Sequence, residues 1–267
     1  MHETAYAKIN LALHVRRRRE DVYHAIETLF AFVDAGDELA VEVAARDELR
    51  VIGEFASTLD PFGNLVAKAL GKLPRPEGWR VTLDKRLPVA AGLGGGSADA
   101  GAVFRLMRER FGLPADWRER AAKLGADVPA CVESRTSIGR GTGAELEPGP
   151  DDLAGTPVLL VNPRVPLATG QVFARWDGVD RGPPPTGSAR EIALAGRNDL
   201  EPPALELSPA IGEVLGALRK SDAWLVRMSG SGATCFALYD DTAKREKAAK
   251  QIAETHPDWW QMSGSLR

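Results

Sequence analysis

A glycine-rich stretch at residues 88–99 constrains the fold of this chain more than any other feature. It reads Pro-Val-Ala-Ala-Gly-Leu-Gly-Gly-Gly-Ser-Ala-Asp. An apolar, strand-like run over 79–83 precedes it, and apolar residues at helical spacing follow it as far as Phe111, just before Gly112. Glycines and a serine therefore lie where a loop becomes the first turn of a helix. Free backbone N–H groups and the helix dipole attract anions there, so the stretch is typical of a phosphate-binding loop.

Other glycine motifs do not fit this stretch. A Walker A loop requires a lysine directly after its glycines, and none follows here. The dinucleotide fingerprint G-x-G-x-x-G, counted from Gly92, fails because its last position is Ser97. The nucleophile elbow G-x-S-x-G fails because Asp99 stands where its second glycine would be. A tight strand-to-helix turn that binds nothing is the remaining alternative to a phosphate site.

Composition restricts the partners and the location of the protein. The 267 residues carry a net charge of −3, so no broad basic field attracts nucleic acid or a membrane. The N-terminus lacks a basic segment with a following apolar core, and no apolar run approaches the roughly 20 residues of a membrane span. We therefore expect a cytoplasmic protein that binds neither partner. Cys131 and Cys235 are expected to be reduced core thiols, and the four histidines show no metal-site spacing.

The N-terminal segment carries an unusual lysine. Residues 5–15 alternate, which predicts a strand with apolar side chains on one face and Lys8, Asn10 and His14 on the other. Lys8 and Asn10 then point the same way, about 6.6 Å apart along the strand. A lysine in an otherwise apolar strand either lies in solvent at a sheet edge or has a partner.

A candidate catalytic carboxylate stands in Gly-Ala-Asp-Val-Pro at 125–129, after a predicted helix over 114–124. Asp127 in this segment has two interpretations. It either caps the next helix, as aspartate often does, or supplies the carboxylate that takes a proton from an acceptor hydroxyl.

The remaining pattern predicts further strands and helices. Two neighbouring strands, at 37–43 and 48–53, are expected to pair with each other. The segment 148–157, rich in Pro, Gly and Asp, is the predicted domain boundary. Trp259 and Trp260 either cap the second half of the chain or present an apolar contact to a partner. Other expected elements are helices over 64–73, 208–218 and 242–254 and strands over 158–162, 224–228 and 234–239.

The sequence Pro-x-x-x-Gly-Leu-Gly-Gly-Gly-Ser at 88–97 resembles the central motif of the GHMP kinases, the superfamily of galactokinase, homoserine kinase and mevalonate kinase. In that family the loop wraps the phosphates of ATP. Residues 7–11, 125–129 and 228–234 resemble further family motifs and occur in the family's order. The resemblance therefore covers nearly the whole chain.

This resemblance implies an architecture and a site. The fold is expected to be α+β, with an N-terminal domain over 1–150 like ribosomal protein S5 domain 2, a ferredoxin-like domain over 151–267, and the active cleft between them. Asp127 is then the catalytic base and Lys8 its partner. ATP and Mg²⁺ are the implied cofactors, without an assigned metal ligand. The implied ATP-binding residues are Asn64, Lys85, Pro88, Val89, Ala90, Ala91, Gly92, Leu93, Gly94, Gly95, Gly96, Ser97 and Ala98.

A narrower resemblance concerns the substrate. Ala-Lys-Ile-Asn at 7–10 and Tyr-His at 23–24 are similar to the branch of GHMP kinases that phosphorylates a cytidine diphosphate-linked methylerythritol in non-mevalonate (MEP pathway) isoprenoid, or terpenoid, synthesis. The implied reaction is ATP-dependent phosphorylation of the 2-hydroxyl of that small molecule. In this branch the tyrosine stacks on cytosine and the histidine hydrogen-bonds the base; Val22 stands where the family has glycine. The implied substrate-binding residues are Asn10, Tyr23, His24, Thr169 and Phe173, the last facing Tyr23 across the cytosine.

Two other functions stay open at this point. One is a GHMP kinase for a mevalonate-type or homoserine-type substrate, which the segment 7–10 and the Tyr-His pair argue against. The other is a nucleotide-binding regulator without catalysis, which the presence of both Lys8 and Asp127 argues against. For the cytidyl-substrate kinase itself we expect a monomer or a weak homodimer.

Overall fold

The computed structural model describes residues 1–21, 23–59 and 63–267, and these residues form two β-sheets. The six strands of the first sheet are β1 (His2–Arg18), β2 (His24–Ala44), β3 (Glu48–Ile52), β4 (Gly78–Asp84), β5 (Ser137–Arg140) and β6 (Glu145–Pro148). The four strands of the second sheet are β7 (Pro157–Asn162), β8 (Leu225–Met228), β9 (Cys235–Leu238) and β10 (Trp260–Ser265). The strand orders are β3-β4-β2-β5-β6, with β1 also paired to β2, and β10-β7-β9-β8.

Helices cover and connect these sheets. The described part of the chain contains a 3₁₀ turn (Ala56–Thr58) and the helices α1 (Leu65–Lys72), α2 (Gly95–Phe111), α3 (Trp117–Ala122), α4 (Val128–Glu133), α5 (Thr169–Ala174), α6 (Ala189–Ala195), α7 (Glu201–Leu207), α8 (Ala210–Arg219) and α9 (Thr242–Thr255). The expected α+β class is confirmed. Within the described ranges, no helix combines the length and the apolar character needed to cross a membrane.

Helix α2 is the centre of the first core. Its buried Phe104 shares one apolar cluster with Trp79 of β4 and with residues of α1 and α4. Gly101 allows α4 to approach closely, because a Cβ there would lie 2.6 Å from the backbone of Cys131. The predicted helix end at Gly112 is confirmed, with φ of +80°. This packing places the start of α4, where Asp127 stands, beside the start of α2.

The second sheet packs on the first through its own apolar residues. Trp260, at the start of β10, is buried, lies edge-on to Phe55, and donates its indole N–H to the carbonyl of Arg86 at 3.1 Å. Val33 of β2 forms an antiparallel bridge with Leu266. Trp260 therefore joins the two sheets, rather than capping the second half of the chain or presenting an apolar contact to a partner.

Several expected elements differ from the structure. Strand β3 does not pair with β2; it lies parallel to β4, which separates the two. The reason is that α1 connects β3 to β4, and such a crossover returns the chain in parallel. The helix expected over 114–124 covers only Trp117–Ala122. The division of the chain into domains 1–150 and 151–267 stays a prediction.

Strand β1 is longer than expected and irregular. Its pairing with β2 shifts between Tyr6 and Lys8 and again between Asn10 and Ala12. Such bulges change which face a side chain occupies. His14 consequently does not lie with Lys8, as simple alternation predicts, but contacts the carbonyl of Gly182 at 3.0 Å through Nδ1.

Candidate active site

A cavity of about 670 Å³ opens between elements of the two sheets. One side is formed by β1, by the glycine loop at the start of α2, and by residues 126–127 before α4. The opposite side is formed by α5 and by the turn between β8 and β9. The cavity therefore collects most of the segments that the sequence singles out, although they lie far apart along the chain.

The glycine loop has the expected loop-to-helix form. Gly94 is the residue before α2 and has φ of +62°, a left-handed conformation that favours glycine. A Cβ on Gly94 would lie 3.1 Å from Lys8 Cε and 3.6 Å from Asp127 Oδ2. The backbone N–H of Lys8 donates to the carbonyl of Leu93 at 3.0 Å. Position 94 therefore requires a residue without a side chain, because Lys8 and Asp127 lie against it.

The turn between β8 and β9 supports the loop from behind. Gly92 has φ of +79°, and a Cβ there would lie 2.1 Å from the carbonyl oxygen of Ser229. The hydroxyl of Ser229 donates to the carbonyl of Gly92 at 2.8 Å, and the N–H of Thr234 donates to that of Ala91 at 3.2 Å. Residues 228–234 are therefore both a hairpin turn and a support for the loop.

Lys8 and Asp127 meet beside the loop. Lys8 Nζ lies 3.2 Å from Asp127 Oδ2 and donates to Asn10 Oδ1 at 3.0 Å. The lysine side chain is 5% exposed, whereas the carboxylate is 31% exposed and faces the cavity. Asp127 precedes α4 but its side chain makes no capping hydrogen bond. Capping therefore does not explain this aspartate, and a solvated edge position does not explain Lys8.

The amide of Asn10 continues this hydrogen-bonded chain into the first sheet. Its Nδ2 donates to Thr28 Oγ1 at 2.8 Å, and Thr28 Oγ1 donates to the carbonyl of Ala12 at 2.6 Å. Lys8 Nζ also lies 5.1 Å from the centre of the Phe30 ring, within the range of a cation–π contact. Lys8 is thereby held in one direction, towards Asp127.

Aromatic rings line the other end of the cavity. The ring of His24 lies 5.0 Å from that of Phe173 and edge-on to Trp176 at 5.7 Å. His24 Nε2 is buried and has no hydrogen-bond partner among the described residues. Burial, together with the positive charge of Arg18, lowers the pKa of His24 from its ordinary value. A neutral imidazole with an unused nitrogen suits the polar edge of a heterocycle.

Two other predicted substrate residues also lie on this cavity. Tyr23 is 61% exposed, at the rim. Thr169, the first residue of α5, shares a hydrogen bond of 2.9 Å with the hydroxyl of Ser231. Val22, where the sequence departs from the family glycine, lies outside the described residues.

Other predicted ATP residues do not face the cavity. Asn64 caps α1, with Oδ1 accepting from the N–H of Val66 at 2.9 Å. Lys85 is 1% exposed and is paired with buried carboxylates behind the loop. Within the loop the cavity is lined by Ala90, Ala91, Gly92, Gly94, Gly95, Gly96 and Ser97, whereas Pro88, Val89, Leu93 and Ala98 flank these residues without lining it.

Sequence reasoning missed Arg18 and Trp176. Arg18 Nη2 donates to the carbonyls of Ala174 (3.2 Å) and Trp176 (3.0 Å), which ties the end of α5 to β1. In the sequence Arg18 is one of four consecutive arginines, so nothing there distinguishes it. Within the described ranges, no group of three or more His, Cys, Asp or Glu side chains is arranged to hold a metal ion.

Comparison with known proteins agrees with this geometry. The family described as GHMP kinases N terminal domain matches residues 63–136, and GHMP kinases C terminal matches 186–258. A curated 4-diphosphocytidyl-2-C-methyl-D-erythritol kinase from Novosphingobium aromaticivorans is 69% identical over 100% of this chain and 93% of its own length. The chain belongs to the 4-diphosphocytidyl-2-C-methyl-D-erythritol kinases, a branch of the GHMP kinases.

Solved structures agree with this assignment. A crystal structure of a 4-(cytidine 5'-diphospho)-2C-methyl-D-erythritol kinase matches with a TM-score of 0.83 and 33% identity, over 100% of this chain and 99% of that one. A homoserine kinase from Cytophaga hutchinsonii matches with a TM-score of 0.66 and 16% identity, over 98% and 95% of the two chains, and shows the shared GHMP fold alone. The resemblance inferred from the motifs is therefore confirmed at the level of the GHMP kinases and of this branch.

Proposed function

We propose that this protein is a phosphotransferase that moves the γ-phosphoryl group of ATP to the 2-hydroxyl of 4-diphosphocytidyl-2-C-methyl-D-erythritol, in non-mevalonate isoprenoid synthesis. Membership of the kinase branch supports this assignment. The main structural support for the reaction is the contact of Lys8 Nζ with Asp127 Oδ2 at 3.2 Å, beside the glycine loop that begins α2. A regulator without catalysis has no need of this pair at that place.

The chain's own groups have distinct tasks in this reaction. Backbone N–H groups at the start of α2 hold the triphosphate, aided by the helix dipole. Asp127 accepts the proton of the attacking hydroxyl, since a base within hydrogen-bond reach suffices for phosphoryl transfer that depends mainly on positioning. Lys8 orients Asp127 and adds positive charge where the phosphoryl group passes.

Magnesium fits the chemistry of this site. It prefers phosphate oxygens and water with few protein ligands, and supplies charge neutralisation of the transferred group. Among the described residues, Asp127 is the one carboxylate that lines the cavity, and it is already paired with Lys8. We therefore place Mg²⁺ with ATP rather than in a separate protein cage.

The aromatic end of the cavity is proposed to hold the cytidine. Phe173 and Tyr23 offer ring faces, and the His24 ring lines the cavity with its Nε2 unpartnered among the described residues. Thr169 and Asn10 also line the cavity. Cytidine at one end and triphosphate at the other place the acceptor hydroxyl near Asp127. We further propose that the enzyme acts in the cytoplasm and that it is a monomer or a weak homodimer.

Replacing His24 by phenylalanine tests the cytidine subsite, because it keeps the ring packing on Phe173 but removes the nitrogen. We expect the KM of the cytidyl substrate to rise roughly tenfold, the loss of about one hydrogen bond, with the KM of ATP unchanged. The pKa of His24 is lowered from 6.5, so the imidazole is neutral at pH 7 and gains its proton only as the pH falls. Wild-type KM should therefore rise only at pH values below the ordinary titration range of histidine, and the variant's KM should not. An equal change in the KM of ATP would contradict this assignment.

Coupled measurement of ADP release decides the function as a whole. With Mg–ATP we expect turnover of the cytidyl substrate, inhibition by CDP that competes with this substrate, and no turnover of mevalonate or homoserine. Turnover of either of the latter would replace the proposed substrate. ATP binding without turnover of any of the three would favour a non-catalytic regulator.

A further inference from the structure

Behind the glycine loop lies a buried cluster of three charged side chains. Lys85, immediately after β4, donates to Asp37 of β2 and, at 2.9 Å, to Asp99 of α2. All three side chains are at most 4% exposed. Burying ions is costly even when they are paired, and replacing such a cluster by apolar residues is often neutral or stabilising. Stability alone is therefore weak grounds for its presence here.

The cluster touches the loop directly. A Cβ on Gly95, the first residue of α2, would lie 3.1 Å from Lys85 Nζ and 3.7 Å from Asp37 Oδ2. Asp37 Oδ1 also accepts the backbone N–H groups of Arg86 at 2.6 Å and Leu87 at 2.7 Å. The cluster thus contacts the chain on both sides of the loop: residues 86–87 before it and the start of α2 after it.

The charges in this cluster do not balance if both carboxylates are ionised. Two carboxylates then share one ammonium, and Asp99 Oδ1 is buried without a hydrogen-bond partner among the described residues. Burial raises the pKa of Asp99 to about 8; Lys85 opposes this rise and Asp37 adds to it. A protonated Asp99 leaves Lys85 and Asp37 as a neutral pair.

The other charged groups beside α2 occur as ion pairs. Lys8 of β1 pairs with Asp127 at 3.2 Å next to Gly94, and Glu3 of β1 pairs with Arg105 of α2 at 3.3 Å. The thiol of Cys131 on α4 is close enough to feel Asp99, and burial raises its own pKa well above the ordinary value, so it stays neutral. Helix α1 and strand β1 contribute apolar side chains such as Val66 and Ala5 to this core. The charge of the cluster therefore depends on Asp99.

We propose that Asp99 is a positioning residue for ATP that acts in its protonated form, so that the loop binds the triphosphate with a buried cluster of zero net charge behind it. This inference rests on the proposed function, in which the loop holds the triphosphate. Asp99 lies four residues into α2, about 6 Å along the helix from its start. A full negative charge there would offset the roughly half unit of positive charge that a helix N-terminus offers to an anion. Binding of the anionic nucleotide is consequently coupled to proton uptake.

Calorimetric titration of Mg–ATP into the full-length protein tests this coupling. Titrations at about pH 8, the pKa of Asp99, in two buffers of different ionisation enthalpy give the number of protons taken up on binding. We expect wild type to take up a fraction of a proton, and its ATP affinity to fall by up to tenfold per pH unit at higher pH. Asp99→Asn, which keeps the shape and removes the titration, should take up no proton and bind ATP with an affinity independent of pH.

Asp84→Asn is the matched control. Asp84 is a partly exposed carboxylate on the same segment, paired with Arg86 at 2.7 Å, outside the buried cluster. It should keep the wild-type proton uptake. A purely structural role for Asp99 would lower the melting temperature of Asp99→Asn without changing proton uptake.

The outcomes separate this inference from the function on which it rests. ATP binding by wild type without proton uptake overturns the role of Asp99 alone, and so does proton uptake retained in Asp99→Asn. Absence of Mg–ATP binding at every pH overturns the proposed function, and this inference with it. Should Asp99→Asn fail to fold, the pH dependence of wild-type proton uptake is the test: uptake centred at about pH 8 supports the inference, and uptake centred elsewhere or absent overturns it.

Discussion

Replacing Asp127 by asparagine is expected to lower kcat by roughly 10²–10⁴-fold, the usual contribution of a general base, while Mg–ATP still binds. Asparagine has the size of aspartate but cannot take the proton of the acceptor hydroxyl. Since the side chain of Asp127 makes no capping hydrogen bond, the start of α4 should be unaffected. Steady-state kinetics with the cytidyl substrate, combined with a separate ATP-binding measurement, gives both quantities.

Asp116→Asn is the control for that experiment. Asp116 likewise precedes a short helix, but it is exposed and paired with Arg120 at 2.8 Å, away from the cavity. Its turnover should match wild type. Near-normal kcat in Asp127→Asn would remove the base from the mechanism, and loss of ATP binding in the same variant would indicate a structural role instead.

The second large effect is expected from Gly92→Ala. The added Cβ would lie 2.1 Å from the carbonyl oxygen of Ser229, and φ of +79° costs a non-glycine residue about 1–2 kcal/mol. The loop has to leave its support on the β8–β9 turn. We expect the KM of ATP to rise at least tenfold and the free energy of unfolding to fall by about 1–3 kcal/mol. Denaturant unfolding and ATP titration measure the two effects.

Gly216→Ala provides the comparison for the glycine prediction. Gly216 lies inside α8, and a Cβ there meets nothing within 4 Å. Alanine favours a helix interior over glycine by up to about 1 kcal/mol, so this variant should be slightly more stable and fully active. Wild-type ATP binding by Gly92→Ala would show that the loop does not depend on its support.

Local pattern predicted the glycine loop well, because its chemistry is confined to neighbouring residues. The run of glycines before an amphipathic helix indicates an anion site at a helix start, and the structure has α2 beginning at Gly95. The pairing of Lys8 with Asp127 is different. Neither residue signals the other in sequence, and only the order of the family motifs suggested that they meet.

The features that the sequence pattern did not predict depend on burial and on strand pairing. Lys85 reads as a strand-end lysine available to a nucleotide, but Asp37 and Asp99 bring it inside. The position of His14 could not be inferred by alternation, because bulges in β1 depend on its pairing with β2. The parallel contact of β3 with β4 depends on the intervening crossover through α1, which local periodicity does not show.

The support of Gly92 by Ser229 has a consequence for biosynthesis of the enzyme. The loop is complete early in the chain, but the turn that holds it in shape is made near the carboxyl end. A nascent chain released before β9 would contain the glycine loop but lack the complete turn that supports it. We therefore expect the loop to reach its final shape only after the β8–β9 turn has been synthesised and has packed against Gly92.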